Sequence, residues 1–224
     1  MLLEHRAPAP HNAPVRNLVA EANHRICNSL SALAGMVQER IVSLEDGAAP
    51  MPADEVRKLL TEVRARVDAV ARFHRALADL PADAAIDVSQ YLQQIAAELV
   101  ATLSRPGGMT LHFAGELGCR AAPDRTLCVG LVVVEIVINA LKYAHPTGVP
   151  GRIDMRCWRT AHALVVEIAD DGVGFPDGFE PARTPTRGLV LVQSLINQIG
   201  GTIAFKSDGL GLTCTISAPV LRLA

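Results

Sequence analysis

The spacing of apolar residues predicts two helices in the first third of the chain. Apolar positions from Val15 to Leu44 recur every three or four residues, which is the period of an amphipathic helix. A linker rich in glycine and proline follows at 47–52. A second helix is predicted from Asp54, with a heptad at positions 56, 59, 63, 67, 70, 74 and 77. Two such helices form a hairpin that buries only one seam, so we expect a second copy to complete a four-helix bundle.

The rest of the chain mixes helices with strands. Helical patterns cover residues 89–103, 124–144 and 189–199. Extended patterns cover residues 109–114, 153–159, 164–169, 202–206 and 212–218. Antiparallel strand pairs beside helices are typical of a two-layer α/β sandwich, so the predicted fold class is α+β. The predicted divisions are a mobile tail at 1–14, a helical hairpin at 15–82 and an α/β domain at 83–224.

Composition excludes several classes of function. The formal net charge of -2, with no long basic block, gives no general attraction to nucleic acid. Five scattered cysteines without a C-x-x-C pair indicate a reducing cytoplasm and no zinc site. The most apolar run, Leu127 to Leu141, is short and contains Glu135 and Asn139, so we expect no membrane insertion. No signal peptide is recognisable at the amino terminus.

A polar stripe on the predicted helix 124–144 is the first candidate site. Glu135, Asn139 and Lys142 lie at positions i, i+4 and i+7, which share one helix face. Each residue alone could be a satisfied core group or a lysine that reaches solvent. Together they provide oxygen ligands for a cation and a positive charge for phosphates, as a magnesium–triphosphate site requires.

A glycine-rich turn after the strand at 164–169 is the second candidate site. Its D-x-G-x-G pattern begins at Asp170 and is also common at the ends of β-hairpins. The functional interpretation is that Asp170 accepts a hydrogen bond from an exocyclic amine, while Gly172 and Gly174 allow a flat ring to approach the backbone. Downstream, residues 186–189 open a helix whose N–H groups can bind phosphate oxygens. The segment between 177 and 186 is rich in Pro and Gly and suits a lid.

These motifs resemble, in order and spacing, the N, G1 and G2 boxes of the GHKL (Bergerat-fold) ATPases. That group comprises histidine kinases, Hsp90-type chaperones, type II topoisomerases and anti-sigma kinases. The matching residues are 135–144, 170–174 and the helix start at Gly188 and Leu189. Upstream, His24, Arg25 and Asn28 resemble the H-R-x-x-N phosphoacceptor motif of the histidine kinases related to the HWE subfamily, and residues 66–74 resemble its second bundle helix. Departures from the family pattern occur at Cys27, Thr186 and Arg187.

The resemblance implies a protein histidine kinase that uses ATP and Mg²⁺. It would phosphorylate His24 and pass the phosphoryl group to an aspartate in the receiver domain of a response regulator. The resemblance also implies that Asn139 binds magnesium, that Glu135 supports the metal or the attacking imidazole, that Lys142 contacts phosphate and that Asp170 binds adenine. The implied assembly is a cytoplasmic homodimer whose input comes from a separate sensor protein or from the tail.

Two other functions stay open at the level of sequence. The first is a histidine phosphotransfer protein or response-regulator phosphatase with kinase architecture but no autokinase activity. The intact polar stripe argues against it, because a site released from nucleotide binding has no physical reason to keep desolvated polar groups. The second is a GHKL serine kinase or chaperone, which needs no histidine on a two-helix bundle.

Helix geometry separately favours His24 over His74 as the phosphoacceptor. At about 100° per residue, His24 points about 200° away from the nearest core positions, whereas His74 lies on the heptad seam. Glu21 and Asn28 flank His24 at i−3 and i+4, where they can fix its tautomer and orient its ring. A solvated surface histidine is the alternative, and the nucleotide motifs downstream favour the phosphoacceptor.

Overall fold

The structure is a computed structural model. It describes residues 34, 35, 37, 38, 41, 52–78, 85–116, 118–176, 178–181, 183 and 187–219. The helices are α1 (Ala53–Ala78), α2 (Val88–Leu103), α3 (Pro123–Tyr143) and α4 (Arg187–Gln198). The strands are β1 (Ile86–Asp87), β2 (Met109–Gly115), β3 (Arg120–Ala121), β4 (Gly151–Arg159), β5 (Ala163–Asp170), β6 (Thr202–Ser207) and β7 (Leu212–Pro219).

Several predictions fall outside these residues. Of the predicted first helix, positions 34, 35, 37, 38 and 41 are described and are helical. The predicted tail, the phosphoacceptor motif of His24, Arg25 and Asn28, and Thr186 of the G2 region are outside the described residues. The division into a hairpin domain and an α/β domain stays a prediction.

Five strands form one mixed sheet in the order β2-β4-β5-β7-β6. The pairs β4–β5, β5–β7 and β6–β7 are antiparallel, whereas β2 and β4 are parallel. Parallel neighbours need a long crossover connection, and α3 lies within the one between β2 and β4. The crossover brings the helix with the polar stripe onto the sheet.

The core lies between this sheet and a layer of helices. Side chains alternate along β4, where Ile153, Met155 and Cys157 are buried and their neighbours are more exposed. The apolar positions of α3 pack onto the same core. Gly130 of α3 gives room to the ring of Tyr91, which a Cβ atom would contact too closely. These layers confirm the α+β class and the two-layer sandwich, while the four-helix bundle stays a prediction.

Helix α1 buries a face that shares only Val70 with the predicted heptad. Its buried residues are Glu62, Arg66, Ala69, Val70 and Phe73, and the helix packs against α3 and α2. The rest of the heptad face is more open, since Val67 on it is 44% exposed and Leu60 beside it is 59% exposed. One face of α1 therefore belongs to the α/β layer, and another is available for a bundle.

Helix α3 is both long and apolar. By length and composition it could cross a membrane, but most of it is buried inside the domain. Its buried residues include Val129, Val132 and Val137, which contact the core on the sheet. The apolar character of α3 is therefore explained by its place in the core.

Candidate functional site

A cavity of about 470 Å³ lies where α3, the end of β5 and the start of α4 meet. This volume is in the range of pockets that bind small molecules. Seven of the residues singled out from the sequence line it: Glu135, Asn139, Lys142, Asp170, Gly174, Gly188 and Leu189. Residues of the three motifs, up to 54 positions apart in the sequence, therefore meet around one cavity.

Two residues of the polar stripe of α3, Glu135 and Lys142, pair with charged residues of α1. Glu135 is 4% exposed, and its two oxygens accept hydrogen bonds from Arg66, at 2.5 Å from Nε and 3.0 Å from Nη2. Lys142 Nζ lies 2.6 Å from Glu62 Oε1. Arg66 Nη1 lies 3.9 Å from Glu62 Oε2. We call these four residues, Glu62, Arg66, Glu135 and Lys142, the ion-pair chain.

Glu62 and Arg66 were not predicted from the sequence as site residues. Both are 6% exposed, and Arg66 lines the cavity. A signal was present, because positions 62, 66, 69, 70 and 73 share one helix face that becomes apolar after Arg66. A charged pair in line with an apolar stripe indicates either a long side chain that reaches solvent or a buried ion pair.

Asp170 is positioned by two backbone donors, one from the turn after β5 and one from β7. Its Oδ1 accepts from the Gly172 N–H at 3.0 Å and from the Leu212 N–H at 3.3 Å. Burial raises the pKa of Asp170, although these two hydrogen bonds favour its ionised form. The carboxylate is thus fixed at the cavity as a hydrogen-bond acceptor.

The glycines of the turn allow close packing against neighbouring elements. A Cβ at Gly172 would collide with the backbone of Ala144 at the end of α3. Gly174 has a φ of 68° and lies against Ser207 of β6. The Ser207 hydroxyl accepts a hydrogen bond from the Phe175 N–H at 2.9 Å. The approach of a flat ring to this backbone stays a prediction.

A second contact joins the turn to the end of α3. Asp171 Oδ1 lies 2.8 Å from His145 Nε2 and accepts a hydrogen bond from the Arg152 N–H at 2.7 Å. Burial alone would raise the pKa of Asp171, but the hydrogen bonds from Arg152 and His145 lower it overall. The sequence motif included Asp171 without a role, and its partners lie 19 and 26 positions away.

One wall of the cavity is aromatic. The rings of Phe175 and Phe179 have centroids 4.9 Å apart, and those of Phe175 and Phe205 are 5.7 Å apart. All three side chains line the cavity. Phe205 lies on β6, 30 positions after Phe175, so the spacing of residues in the sequence did not predict that the two rings are in contact. The cavity therefore combines an apolar wall, an acceptor carboxylate and a polar helix face.

The oxygen donors on α3 fit magnesium held together with phosphates. Glu135 and Asn139 are one carboxylate and one amide on the same helix face. Mg²⁺ usually takes one or two protein oxygens and completes its shell with water and substrate phosphates. Within the described residues, no group of three or more His, Cys, Asp or Glu side chains could hold a metal by itself.

Sequence comparisons identify related proteins. A family model described as a histidine kinase-like ATPase domain matches residues 56–216. Sensor histidine kinase PdtaS of Mycobacterium tuberculosis is 28% identical over 211 residues, which cover 91% of this chain and 40% of that protein. Blue-light-activated histidine kinase 2 of Erythrobacter litoralis is 24% identical over 207 residues, or 90% and 57% of the two chains. The chain thus spans about two fifths of the PdtaS proteins and just over half of the blue-light kinase.

Solved structures show the same fold. The histidine kinase domain of the Erythrobacter litoralis EL346 blue-light activated histidine kinase superposes with a TM-score of 0.69 at 23% identity. The match covers 92% of this chain and 94% of that one. Acinetobacter baumannii histidine kinase AdeS matches with a TM-score of 0.53 at 16% identity, over 89% of this chain and 98% of the other. Together with the family match, these likenesses confirm the resemblance carried by the sequence motifs.

Proposed function

Since the chain belongs to the histidine kinase-like ATPase domain family, we propose that it is an ATP-dependent protein histidine kinase that phosphorylates its own His24. The observation that supports this most is the single cavity shared by the stripe of α3 and by Asp170. A cation ligand, a phosphate-binding lysine and an acceptor for an exocyclic amine are the groups that a magnesium–ATP complex needs.

In this proposal, the adenine lies at the end of the cavity formed by Asp170 and the phenylalanines. The Asp170 carboxylate accepts from the exocyclic amine, and the aromatic wall contacts the ring. The phosphates extend toward Lys142 and toward the first N–H groups of α4 near Gly188, where the helix dipole favours negative charge. Leu189, which is buried, holds the start of α4 against the domain.

Asn139, with support from Glu135, would hold magnesium, which would supply positive charge against the phosphates. Glu135 has two alternative roles in this proposal: it supports either the metal or the attacking imidazole of His24. Arg25 and Asn28, which follow His24 in the H-R-x-x-N motif, complete the proposed catalytic set. Transfer from ATP to His24 forms an N–P bond and breaks the bond between the γ-phosphorus and the bridging oxygen, so ADP leaves.

The proposed partners follow from this chemistry. The phosphoryl group passes from His24 to an aspartate in the receiver domain of a response regulator. Two copies of the chain form the four-helix bundle, and input comes from a separate sensor protein or from the tail. We propose that these reactions take place in the cytoplasm.

The test is labelling of the full chain with γ-labelled ATP and magnesium. We expect label on the protein that is acid-labile and alkali-stable, as a phosphohistidine is. His24→Gln should abolish labelling, and His74→Gln should retain it. His74 is a matched control because burial lowers its pKa, which favours the neutral imidazole that an attacking nitrogen needs.

Three results would contradict this proposal. Normal labelling of His24→Gln would exclude His24 as the acceptor. Label that resists acid would point to a serine or threonine kinase. A chain that takes label from a phosphorylated regulator, but never from ATP, would be a phosphotransfer protein.

A further inference from the structure

Two charged residues of α1 contact the residues proposed to bind metal and phosphate. Glu62 and Arg66 are one helical turn apart, and both are 6% exposed. Glu62 Oε1 lies 2.6 Å from Lys142 Nζ, while Arg66 donates two hydrogen bonds to Glu135. Lys142 and Glu135 are therefore already engaged by a helix that carries no part of the N, G1 or G2 boxes.

The ion-pair chain is electrically balanced. It contains two carboxylates, one guanidinium and one ammonium, and opposite charges alternate along it. A triphosphate, by contrast, is strongly negative and is stabilised by unbalanced positive charge. The Glu62 carboxylate, held against Lys142, repels a phosphate that approaches the same ammonium group, and the repulsion is strong where water is scarce.

The contact also fixes the position of α1. Arg66 lines the cavity, and the next residues on the same face, Ala69, Val70 and Phe73, are buried in the common core. Loss of the contacts that Lys142 and Glu135 make with α1 would therefore free the helix near Glu62, at the amino-terminal end of its packed face. The more exposed amino-terminal part of α1, which includes Leu60, has less packing to oppose its movement.

We propose that the ion-pair chain is an autoinhibitory contact, in which Glu62 competes with the ATP phosphates for Lys142. Binding of magnesium–ATP and docking of α1 through Glu62 then oppose each other. Because such coupling is reciprocal, ATP loosens the docked helix by the same factor by which docking weakens ATP binding. The inference rests on the proposed nucleotide site, but it assigns to Glu62 and Arg66 a role outside that site's motifs.

The decisive variant is Glu62→Gln in the full chain. Glutamine keeps the shape of the side chain and can still accept a hydrogen bond from Lys142, but it removes the charge. We expect magnesium–ATP to bind about 5- to 50-fold more tightly, the lower part of the usual coupling range, because Lys142 is partly exposed. Isothermal titration calorimetry measures this affinity.

The matched control is Asp68→Asn on the same helix. Asp68 pairs with Arg64 at 3.3 Å, and this pair is exposed and lies away from the cavity. The control also loses one negative charge from α1, so it reports any general electrostatic effect on ATP binding. Its affinity for magnesium–ATP should equal that of the wild type.

A second measurement needs no substitution. Hydrogen exchange of the wild-type chain, with and without magnesium–ATP, should show faster exchange around Glu62 in α1 when the nucleotide is bound. A static packing role for the ion-pair chain predicts unchanged or slower exchange there. This readout stays decisive even if Glu62→Gln lowers the stability of the fold.

The outcomes separate the two proposals. Equal ATP affinities for the wild type and Glu62→Gln, with no faster exchange, would overturn the autoinhibitory contact and leave the nucleotide site intact. If Glu62→Gln bound magnesium–ATP while the wild type and Asp68→Asn did not, the autoinhibitory contact would be supported in its strongest form. Absence of binding in the wild type, Glu62→Gln and Asp68→Asn alike would reject the nucleotide site, and the proposed competition with it.

Discussion

Asn139 and Asp170 reach the same cavity from different elements, and neither belongs to the apolar core. We therefore expect Asn139→Ala and Asp170→Asn to weaken ATP binding without unfolding the protein. Loss of a hydrogen bond to a charged group costs about 1.5–3 kcal/mol, which is about 10- to 150-fold in affinity. Calorimetry measures the binding, and thermal unfolding confirms that each variant is folded.

Exposed residues of the same types serve as controls. Asn197 on α4 pairs with Gln193, and Asp208 after β6 pairs with Lys206, both at the surface. Asn197→Ala and Asp208→Asn should bind ATP as the wild type does. If Asn139→Ala and Asp170→Asn matched these controls, the site assignment would be wrong.

At the residue scale, the sequence predicted the groups whose relation is local. Glu135, Asn139 and Lys142 share a helix face, so a period of 3.6 residues was sufficient to group them. Arg66 contacts Glu135 from 69 positions away, and helix periodicity contains no information on such a pair. A charged residue is by default expected in solvent, but Arg66 is buried because α1 packs against α3.

At the element scale, the end of α3 and the turn after β5 are held together by His145 and Asp171. The lowered pKa of Asp171 means that its ionised form stabilises the folded state. This contribution is present above the ordinary pKa of an aspartate and is lost as the pH falls through the lowered value. Asp171→Asn should thus be less stable than the wild type at neutral pH, and the difference should shrink on acidification.

Urea unfolding at several pH values measures this difference. Because Asp171 is about half exposed, the effect should be small. Asp208→Asn, whose carboxylate is exposed, should show no comparable pH dependence. A constant difference between the wild type and Asp171→Asn from acid to neutral pH would contradict a role for the charge.

The boundaries of helices and strands were predictable where the hydrophobic period ended at a proline or a glycine. The predicted helix and strand limits from residue 53 onward differ from the observed ones by two residues or fewer. Pro123, which suits the first turn of a helix, begins α3, and Gly200 with a φ of 62° follows α4. The parallel pairing of β2 with β4 was not predictable, because strand period does not encode direction.

At the scale of the whole molecule, the open face of α1 predicts self-association. Leu60 and Val67 are large, apolar and well exposed, which favours burial against another copy. We expect the full chain to be a dimer in light scattering, and Leu60→Glu and Val67→Glu to be monomeric. Val190→Glu, at an exposed apolar position on α4, should remain dimeric. A monomeric wild type would contradict the bundle.

Strand β7 lies inside the sheet, between β5 and β6, although it is the last of the described strands. Its first residue, Leu212, also donates the backbone hydrogen bond that holds Asp170. During translation, β5 therefore keeps an open edge and Asp170 lacks one of its donors until β7 has emerged from the ribosome. A nascent chain that stalls before residue 212 has every motif proposed to bind nucleotide but an unfinished pocket. The order of synthesis therefore leaves the proposed nucleotide pocket incomplete until β7 joins the sheet.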